Sequence, residues 1–277
     1  MIVGILIVLG LCFGSFVNAL VWRVYQQSLP KAKRPKKVDL SIQKGRSVCP
    51  NCHHVLGWQD LLPVISWLGL RGKCRYCSKP ILWQYPLVEI LTAVIFVISY
   101  LFWPFEFTGT EVVIFGLWLA VVVNLVALAV YDVKWMLLPN RLVKFALGFA
   151  VVLSWITISA RSGEIYVDLA KLAVATLISG GLFAVLFYVS SGRWIGGGDV
   201  KLGFVLGFVV ATPVNACLML FIASLLGCLI ALPALLVGSK SLQTKIPFGP
   251  FLIASAFIVY LFGKDVADAY LRLLGVS

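Results

Sequence analysis

The chain has 277 residues, of which 61% are hydrophobic and 12% are charged. Because soluble domains carry roughly 25% charged residues, this composition excludes a soluble globular protein and indicates a polytopic membrane protein. The formal net charge of +12 raises the alternative of nucleic-acid binding, but the distribution of the basic residues attributes it to membrane topology and to contact with anionic lipid.

Apolar runs predict about eight transmembrane helices. Six runs approach the roughly 20 residues that a helix needs to cross a bilayer; they are 2–22, 87–103, 112–131, 142–160, 169–189 and 214–237. Two shorter runs, 200–211 and 250–262, reach this length only with flanking residues. The predicted organisation is an all-α membrane protein with a first transmembrane helix (1–22), a small cytoplasmic loop domain (23–86) and a transmembrane domain (87–277).

The basic residues predict the orientation of these helices. Of the 23 Lys and Arg residues, 12 lie between the first two spans, and seven more fall in segments on the same side; four lie on the opposite side. Positively charged loops stay in the cytoplasm, so the long loop is expected there, with both termini outside. In this topology Asp132 ends the third span and Asp199 begins the sixth, so both carboxylates reach the cytoplasmic face of the membrane.

The long loop carries two Cys-x-x-Cys pairs, formed by Cys49 with Cys52 and by Cys74 with Cys77. Pairs at this spacing predict a four-cysteine zinc site, and a reducing cytoplasm disfavours disulfides. Four thiolates fill the coordination shell of zinc, so we expect a structural metal. His53 and His54 are expected to be surface residues, and the apolar segment 60–70 either covers the zinc module or rests on the membrane.

The two aspartates predict acid–base chemistry. Two neighbouring carboxylates cannot both be ionised cheaply, so they share a proton, and one serves as base while the other serves as acid. Such a pair can activate water against a peptide carbonyl without a metal or a covalent nucleophile. The chain has neither a Ser-His-Asp arrangement nor a His-Glu-x-x-His helix.

The chain resembles the bacterial type IV prepilin peptidases, a family of Gly-x-Gly-Asp intramembrane aspartic proteases, over nearly its whole length. The resemblance rests on six segments in the family's order: 14–23, the paired Cys-x-x-Cys motifs, Tyr85-Pro86-Leu87-Val88-Glu89, Asp132 with Leu138-Pro139-Asn140, Gly196-x-Gly198-Asp199-Val200-Lys201, and Pro247-Phe248-Gly249-Pro250-Phe251.

This resemblance implies an enzyme of the bacterial inner membrane that cleaves the basic leader of prepilins and pseudopilins at the cytoplasmic interface, serving pilus assembly or protein secretion. It implies Asp132 and Asp199 as the catalytic pair, and in bifunctional members N-methylation of the new N-terminus with S-adenosylmethionine. Gly196 and Gly198 belong to the second catalytic motif. Glu89 is a candidate for methyl transfer or substrate positioning, with a buried acid bonded to a neighbouring helix as the alternative. Lys201 either tunes Asp199 or anchors its span.

Two other functions are weighed against this one. A presenilin or signal-peptide-peptidase type of protease shares Tyr131-Asp132 and the Gly-x-Gly-Asp sequence, but the zinc loop and Leu138-Pro139-Asn140 argue against it. A proton-coupled transporter would place its acids near the middle of the membrane, whereas Asp132 and Asp199 are both expected at one interface.

Overall fold

The computed structural model describes residues 1–35, 38–107, 109–161, 163–236 and 246–273. These residues are mostly helical, and their only β-structure is two isolated bridges in the cysteine-containing loop. The chain divides into two compact units, Met1–Leu101 and Phe102–Ser277. The helix 84–101, assigned by sequence to the transmembrane domain 87–277, therefore lies in the first unit.

The first unit contains three α-helices: α1 (Ile2–Ser28), the short α2 (Ile65–Gly69) and α3 (Gln84–Leu101). Helix α1 continues six residues beyond the predicted boundary at residue 22. Helices α1 and α3 pack closely because Gly10 and Gly14 face the α3 backbone, and a Cβ atom on Gly14 would lie 2.6 Å from the Glu89 Cα atom. Small residues four apart are a common device for close helix packing in membranes.

Hydrogen bonds to backbone carbonyl groups hold the loop to α1, and α1 to α3. The Arg23 guanidinium on α1 donates to the carbonyl oxygens of Ser41, Ile42 and Gly45 at 2.8–3.2 Å. Asn18, also on α1, donates to the carbonyl oxygen of Tyr85 in the first turn of α3. The loop and the two helices therefore form one unit.

The second unit contains the remaining helices: α4 (Thr110–Trp135), α5 (Asn140–Arg161), α6 (Ile165–Thr176), α7 (Leu182–Val189), α8 (Gly197–Val210), α9 (Pro213–Leu236) and α10 (Gly249–Leu273). A π-helical segment, Leu177–Gly181, joins α6 to α7. The core contains the fully buried Trp118 of α4, whose ring stacks on Tyr260 of α10 at 3.8 Å between centroids. Helix α10 contacts both α4 and α8.

Seven of the described helices are long and apolar enough to cross a membrane; they are Ile2–Ser28, Gln84–Leu101, Thr110–Trp135, Asn140–Arg161, Ile165–Val189, Pro213–Leu232 and Gly249–Val266. The marginal run 250–262 is thus part of a full-length helix. The run 200–211 does not form a full-length helix. Helix α8 has 14 residues, which corresponds to a length of about 21 Å, whereas the hydrocarbon core is about 30 Å thick. The helix ends where Ala211 adopts a left-handed backbone conformation and Pro213 begins α9.

Candidate active site and metal-binding module

Asp132 lies in the last turn of α4, and its side chain is buried with 6% of the residue exposed. The helix ends just beyond it, because Met136 takes the left-handed conformation and donates its N–H to the Asp132 carbonyl oxygen. The carboxylate oxygen Oδ2 of Asp132 is buried, and no side chain among the described residues donates a hydrogen bond to it. The backbone N–H of Gly249 faces this carboxylate. A buried polar atom without a partner is costly and is a common mark of a functional site.

Asp199 lies in the first turn of α8 and is half-buried. Gly196 caps this helix in an extended conformation, and its carbonyl oxygen accepts the Asp199 N–H at 3.0 Å. The N-terminal end of a helix carries a partial positive charge, which favours a carboxylate there. Asp132, which is 67 positions earlier in the sequence and on another helix, is close enough to Asp199 for an electrostatic interaction.

The beginning of α10 closes around Asp132. A Cβ atom placed on Gly249 would lie 2.6 Å from Asp132 Oδ2 and 3.5 Å from a methyl carbon of Leu202 on α8. Only glycine permits the α10 backbone to approach the carboxylate this closely. In the sequence, Gly249 stands out only as part of the segment Pro247-Phe248-Gly249-Pro250-Phe251, and no local pattern there indicates its contact with Asp132.

The segment after α4 joins the same site. The side chain of Leu138 covers Gly198, where a Cβ atom would lie 3.2 Å from it. Lys201 on α8 donates a hydrogen bond of 2.8 Å to the Asn140 side-chain oxygen at the start of α5, and this contact is exposed. The segments around Asp132, Leu138, Asp199 and Gly249, which are dispersed in the sequence, therefore meet at one end of the second unit.

Glu89 belongs to the first unit and is buried on α3. Its Oε2 atom accepts a hydrogen bond of 2.7 Å from the backbone N–H of Val64, and the hydroxyl group of Ser15 on α1 also interacts with its carboxylate. Val64 has a φ of 60°, and a positive φ is unusual for a β-branched residue. The bonds of Glu89 thus agree with the alternative of a buried acid bonded to neighbouring elements.

The four cysteines of the loop come together. The Sγ atoms of Cys49, Cys52, Cys74 and Cys77 all lie within 4.8 Å of one another, and those of Cys49 and Cys77 are 4.0 Å apart. A tetrahedral zinc ion with Zn–S bonds of about 2.3 Å requires sulfur atoms about 3.8 Å apart. The cluster therefore fits a metal ion with small side-chain adjustments. His53 and His54 are exposed and do not belong to it.

Each cysteine pair lies in a turn of the same design. In both turns the first cysteine donates its N–H to a carbonyl five residues later, of His54 for Cys49 and of Lys79 for Cys74. The residue after the second cysteine, His53 or Ser78, has a positive φ. An isolated β-bridge closes each turn, Val48 with Val55 and Lys73 with Pro80. This repeat, offset by 25 residues, was not recognised from the sequence.

The sulfur atoms of the two buried cysteines interact with each other, and each also accepts hydrogen bonds from two backbone N–H groups of its own turn. Burial raises the pKa of the Cys49 thiol to about 12. Burial also acts to raise the pKa of Cys74, but hydrogen bonds from the backbone N–H groups of Cys77 and Tyr76 outweigh it and lower this pKa to about 7. N–H groups directed at sulfur stabilise the thiolate, which is the form that binds metal.

Hydrogen bonds of Asp60 link the segment before α2 to the second cysteine turn. Its carboxylate accepts hydrogen bonds from Arg75 Nε at 2.8 Å, from the Tyr76 hydroxyl at 3.1 Å and from the Gly57 N–H at 3.2 Å. Burial acts to raise the pKa of Asp60, but these hydrogen bonds outweigh it and hold the pKa below its ordinary value. The Tyr76 ring in turn stacks on His54 of the first turn at 3.7 Å.

Comparison with known proteins assigns both units. The sequence model of the Bacterial Peptidase A24 N-terminal domain matches residues 8–103, and that of the Type IV leader peptidase family matches residues 119–232. The prepilin leader peptidase/N-methyltransferase of Bacillus subtilis (strain 168) is 30% identical over 270 residues, covering 98% of both chains.

Further relatives carry the same name. That of Legionella pneumophila is 32% identical over 283 residues, covering 95% of this chain and 92% of its own. That of Myxococcus xanthus (strain DK1622) is 47% identical over 91 residues, 33% of this chain and 24% of the relative. No solved structure matches the chain significantly.

The long apolar helices, the four-cysteine module and the relatives define a multi-pass helical membrane protein of the peptidase class. The chain belongs to the type IV leader peptidase family.

Proposed function

We propose that the protein removes the leader peptide from type IV prepilins and pseudopilins and methylates the new N-terminus. The matches to both family models and the full-length similarity to prepilin leader peptidase/N-methyltransferases support this function over a transporter or a presenilin-like protease. We place the protein in the bacterial inner membrane with its site at the cytoplasmic face. The asymmetric distribution of Lys and Arg supports that orientation.

Hydrolysis is assigned to Asp132 and Asp199. The observation that carries this assignment is the buried Asp132 Oδ2 atom, to which no side chain among the described residues donates a hydrogen bond. The carboxylate also interacts electrostatically with Asp199. A structural carboxylate is expected to be fully hydrogen-bonded, as Asp60 is. A carboxylate that handles a substrate proton must instead keep an oxygen available.

In the proposed reaction the pair holds one proton. The ionised carboxylate removes a proton from water while the water oxygen bonds to the scissile carbonyl carbon, and the protonated carboxyl gives its proton to the carbonyl oxygen. The tetrahedral intermediate then loses the amine of the mature protein. The C–N bond breaks as the nitrogen accepts a proton from the carboxyl that had acted as base. One hydroxyl group of the intermediate returns its proton to the other carboxylate as the new carboxyl terminus forms, so the pair again holds one proton. No external acid, base or metal is required.

The surrounding residues are assigned positioning roles. Gly198 lets the first turn of α8 pack against Leu138, and Gly196 caps this helix beside the Asp199 carboxylate. Lys201 links α8 to Asn140 at the start of α5. These contacts support a fixed orientation of Asp199 in the first turn of α8. Glu89, whose carboxylate is occupied by Val64, is assigned a structural role in the first unit rather than methyl transfer.

The four cysteines are proposed to hold a structural zinc ion. Zinc would stabilise a loop that has little core of its own, since four thiolates leave no coordination position for water or substrate. Methylation requires S-adenosylmethionine as the methyl donor. The buried carboxylate of the first unit, Glu89, is already hydrogen-bonded to Val64 and is not proposed to bind this donor.

The assignment is tested by the cleavage of a prepilin in proteoliposomes by Asp132→Asn and Asp199→Asn. Each variant should insert normally and lose cleavage by roughly 10²–10⁴-fold, because an amide cannot serve as base or acid. Asp168→Asn is the matched control, since this acid on α6 is partly exposed and pairs with Lys171. If Asp132→Asn or Asp199→Asn cleaved the prepilin like the wild type, the two aspartates would not be the catalytic pair.

A further inference from the structure

The cysteine-containing loop presents an apolar surface that nothing in the peptidase chemistry requires. Two tryptophans are strongly exposed, Trp58 at 72% and Trp83 at 73%, and on the short helix α2 Ile65 and Leu68 are exposed at 67% and 62%. We call this surface the interfacial face; its residues are Trp58, Leu61, Leu62, Ile65, Leu68, Leu82 and Trp83. Exposed apolar clusters of this kind mark interaction sites.

The interfacial face has two parts, one in the segment 58–70 and one just before α3, and these two parts are in contact. The Trp67 ring on α2 lies 4.2 Å from the Trp83 ring between centroids, and its Nε1 atom donates to the Ile81 carbonyl oxygen. The segment 58–70 therefore lies against the residues that lead directly into α3. Both ends of the loop are thus continuous with membrane helices, since α1 ends at Ser28 and α3 begins at Gln84.

The hydrogen bond between Val64 and Glu89 fixes the depth of this face. Glu89 is five residues into α3, which corresponds to about 7.5 Å along the helix axis. Helix α3 has 18 residues, a length of about 27 Å, and therefore needs nearly all of them to cross the hydrocarbon. Because Val64 donates to Glu89 at 2.7 Å, the segment around Val64 must lie at the level of the inner edge of the hydrocarbon. Interfacial helices bury their apolar face about 5–10 Å into this boundary.

The backbone of the segment is suited to that depth. Where water is scarce, every N–H group needs a protein partner. Pro63 has no N–H group, and the N–H group of Val64 donates to Glu89. Six of the following residues donate to carbonyl groups within the segment: Ile65, Ser66, Leu68, Leu70, Arg71 and Gly72.

Charge identifies the lipid. Residues 29–83 contain eleven Lys and Arg residues and only two acids, Asp39 and Asp60. Basic segments beside a membrane are attracted to anionic headgroups. We propose that the interfacial face inserts into the cytoplasmic leaflet of an anionic bilayer and holds the metal-binding module against the membrane. Trp58 and Trp83 then occupy the headgroup level, where tryptophan is preferred.

The test uses the full-length chain with a benzophenone amino acid at position 65 or 68, reconstituted in vesicles of three parts phosphatidylethanolamine and one part phosphatidylglycerol. After irradiation, lipid adducts are measured by mass spectrometry. The control carries the same probe at Asn51, an exposed residue in the first cysteine turn. We expect at least a tenfold greater adduct yield at positions 65 and 68 than at position 51. Because no cleavage is measured, the result is independent of the proposed peptidase activity.

A second measurement addresses the tryptophans without altering α2. Lipids brominated near the headgroup should quench part of the fluorescence of the wild-type chain, and the quenched part should be smaller in Trp58→Phe/Trp83→Phe. Equal lipid adducts at the three probe positions, or quenching unchanged by the double substitution, would overturn the proposal. If the probes at positions 65 and 68 crosslinked only to an added prepilin, or only to a second copy of the chain, the interfacial face would bind that protein and not lipid.

Discussion

Substitution of Gly249 by alanine tests whether cleavage depends on the exact position of the Asp132 carboxylate. The alanine Cβ would lie 2.6 Å from Asp132 Oδ2 and 3.3 Å from its Cγ atom, whereas ordinary van der Waals contact begins at 3.4 Å. The carboxylate or the α10 backbone must therefore move by about 0.8 Å. A misplacement of about 1 Å at a catalytic group can cost about 10²-fold in rate.

We expect Gly249→Ala to lower kcat/KM for prepilin cleavage by about 10²-fold, equivalent to about 2.7 kcal/mol of transition-state stabilisation. Overpacking should also lower the free energy of unfolding by about 1–3 kcal/mol. The assay is cleavage of a purified prepilin in proteoliposomes, with thermal unfolding measured on the same preparations.

The matched control is Gly116→Ala. This glycine lies on α4, the helix that carries Asp132, and a Cβ atom there meets nothing within 4 Å. The control should therefore cleave like the wild type, because alanine adds no contact and is the better helix former. If Gly249→Ala were folded and cleaved the prepilin at the wild-type rate, the close approach of α10 would have no bearing on the function of Asp132, and the reasoning would be refuted.

Three further predictions concern the contacts of Lys201, Cys74 and Asp60. Lys201→Ala and Asn140→Ala should each slow cleavage by roughly two- to tenfold, the equivalent of one hydrogen bond, and additive losses in the double variant would exclude coupling between the two residues. Cys74→Ser should lower the zinc content of the purified protein measured by mass spectrometry, whereas Cys217→Ser, outside the cluster, should not; equal zinc in both variants would contradict the metal site. Asp60→Asn should destabilise the module equally at pH 6 and pH 8. A folded-state pKa below the ordinary value keeps the carboxylate ionised in this range, so its stabilisation is lost only when the pH falls through that lower pKa. A strong dependence between pH 6 and pH 8 in thermal unfolding would contradict this assignment.

The sequence by itself was sufficient for features that depend on local spacing or on composition. Cys-x-x-Cys pairs bring their own sulfur atoms together within one turn, so the ligand set was predictable, and the structure confirms that the four thiols cluster. The helical membrane fold followed from apolar runs, although α8 is shorter than a span because the helix ends at Ala211, which has a left-handed backbone, and α9 begins at Pro213. Asp132 and Asp199 could be nominated because acids next to apolar runs are rare.

The tertiary structure decided what depends on contacts between distant segments. The approach of Gly249 to Asp132, the bond of Lys201 to Asn140 and the bond of Val64 to Glu89 join residues 25 to 117 positions apart. No local pattern encodes such pairs, since each arises from the way several helices pack at once. A glycine looks the same in a sequence whether it faces open space, as Gly116 does, or a buried carboxylate, as Gly249 does, and only the packed structure distinguishes the two.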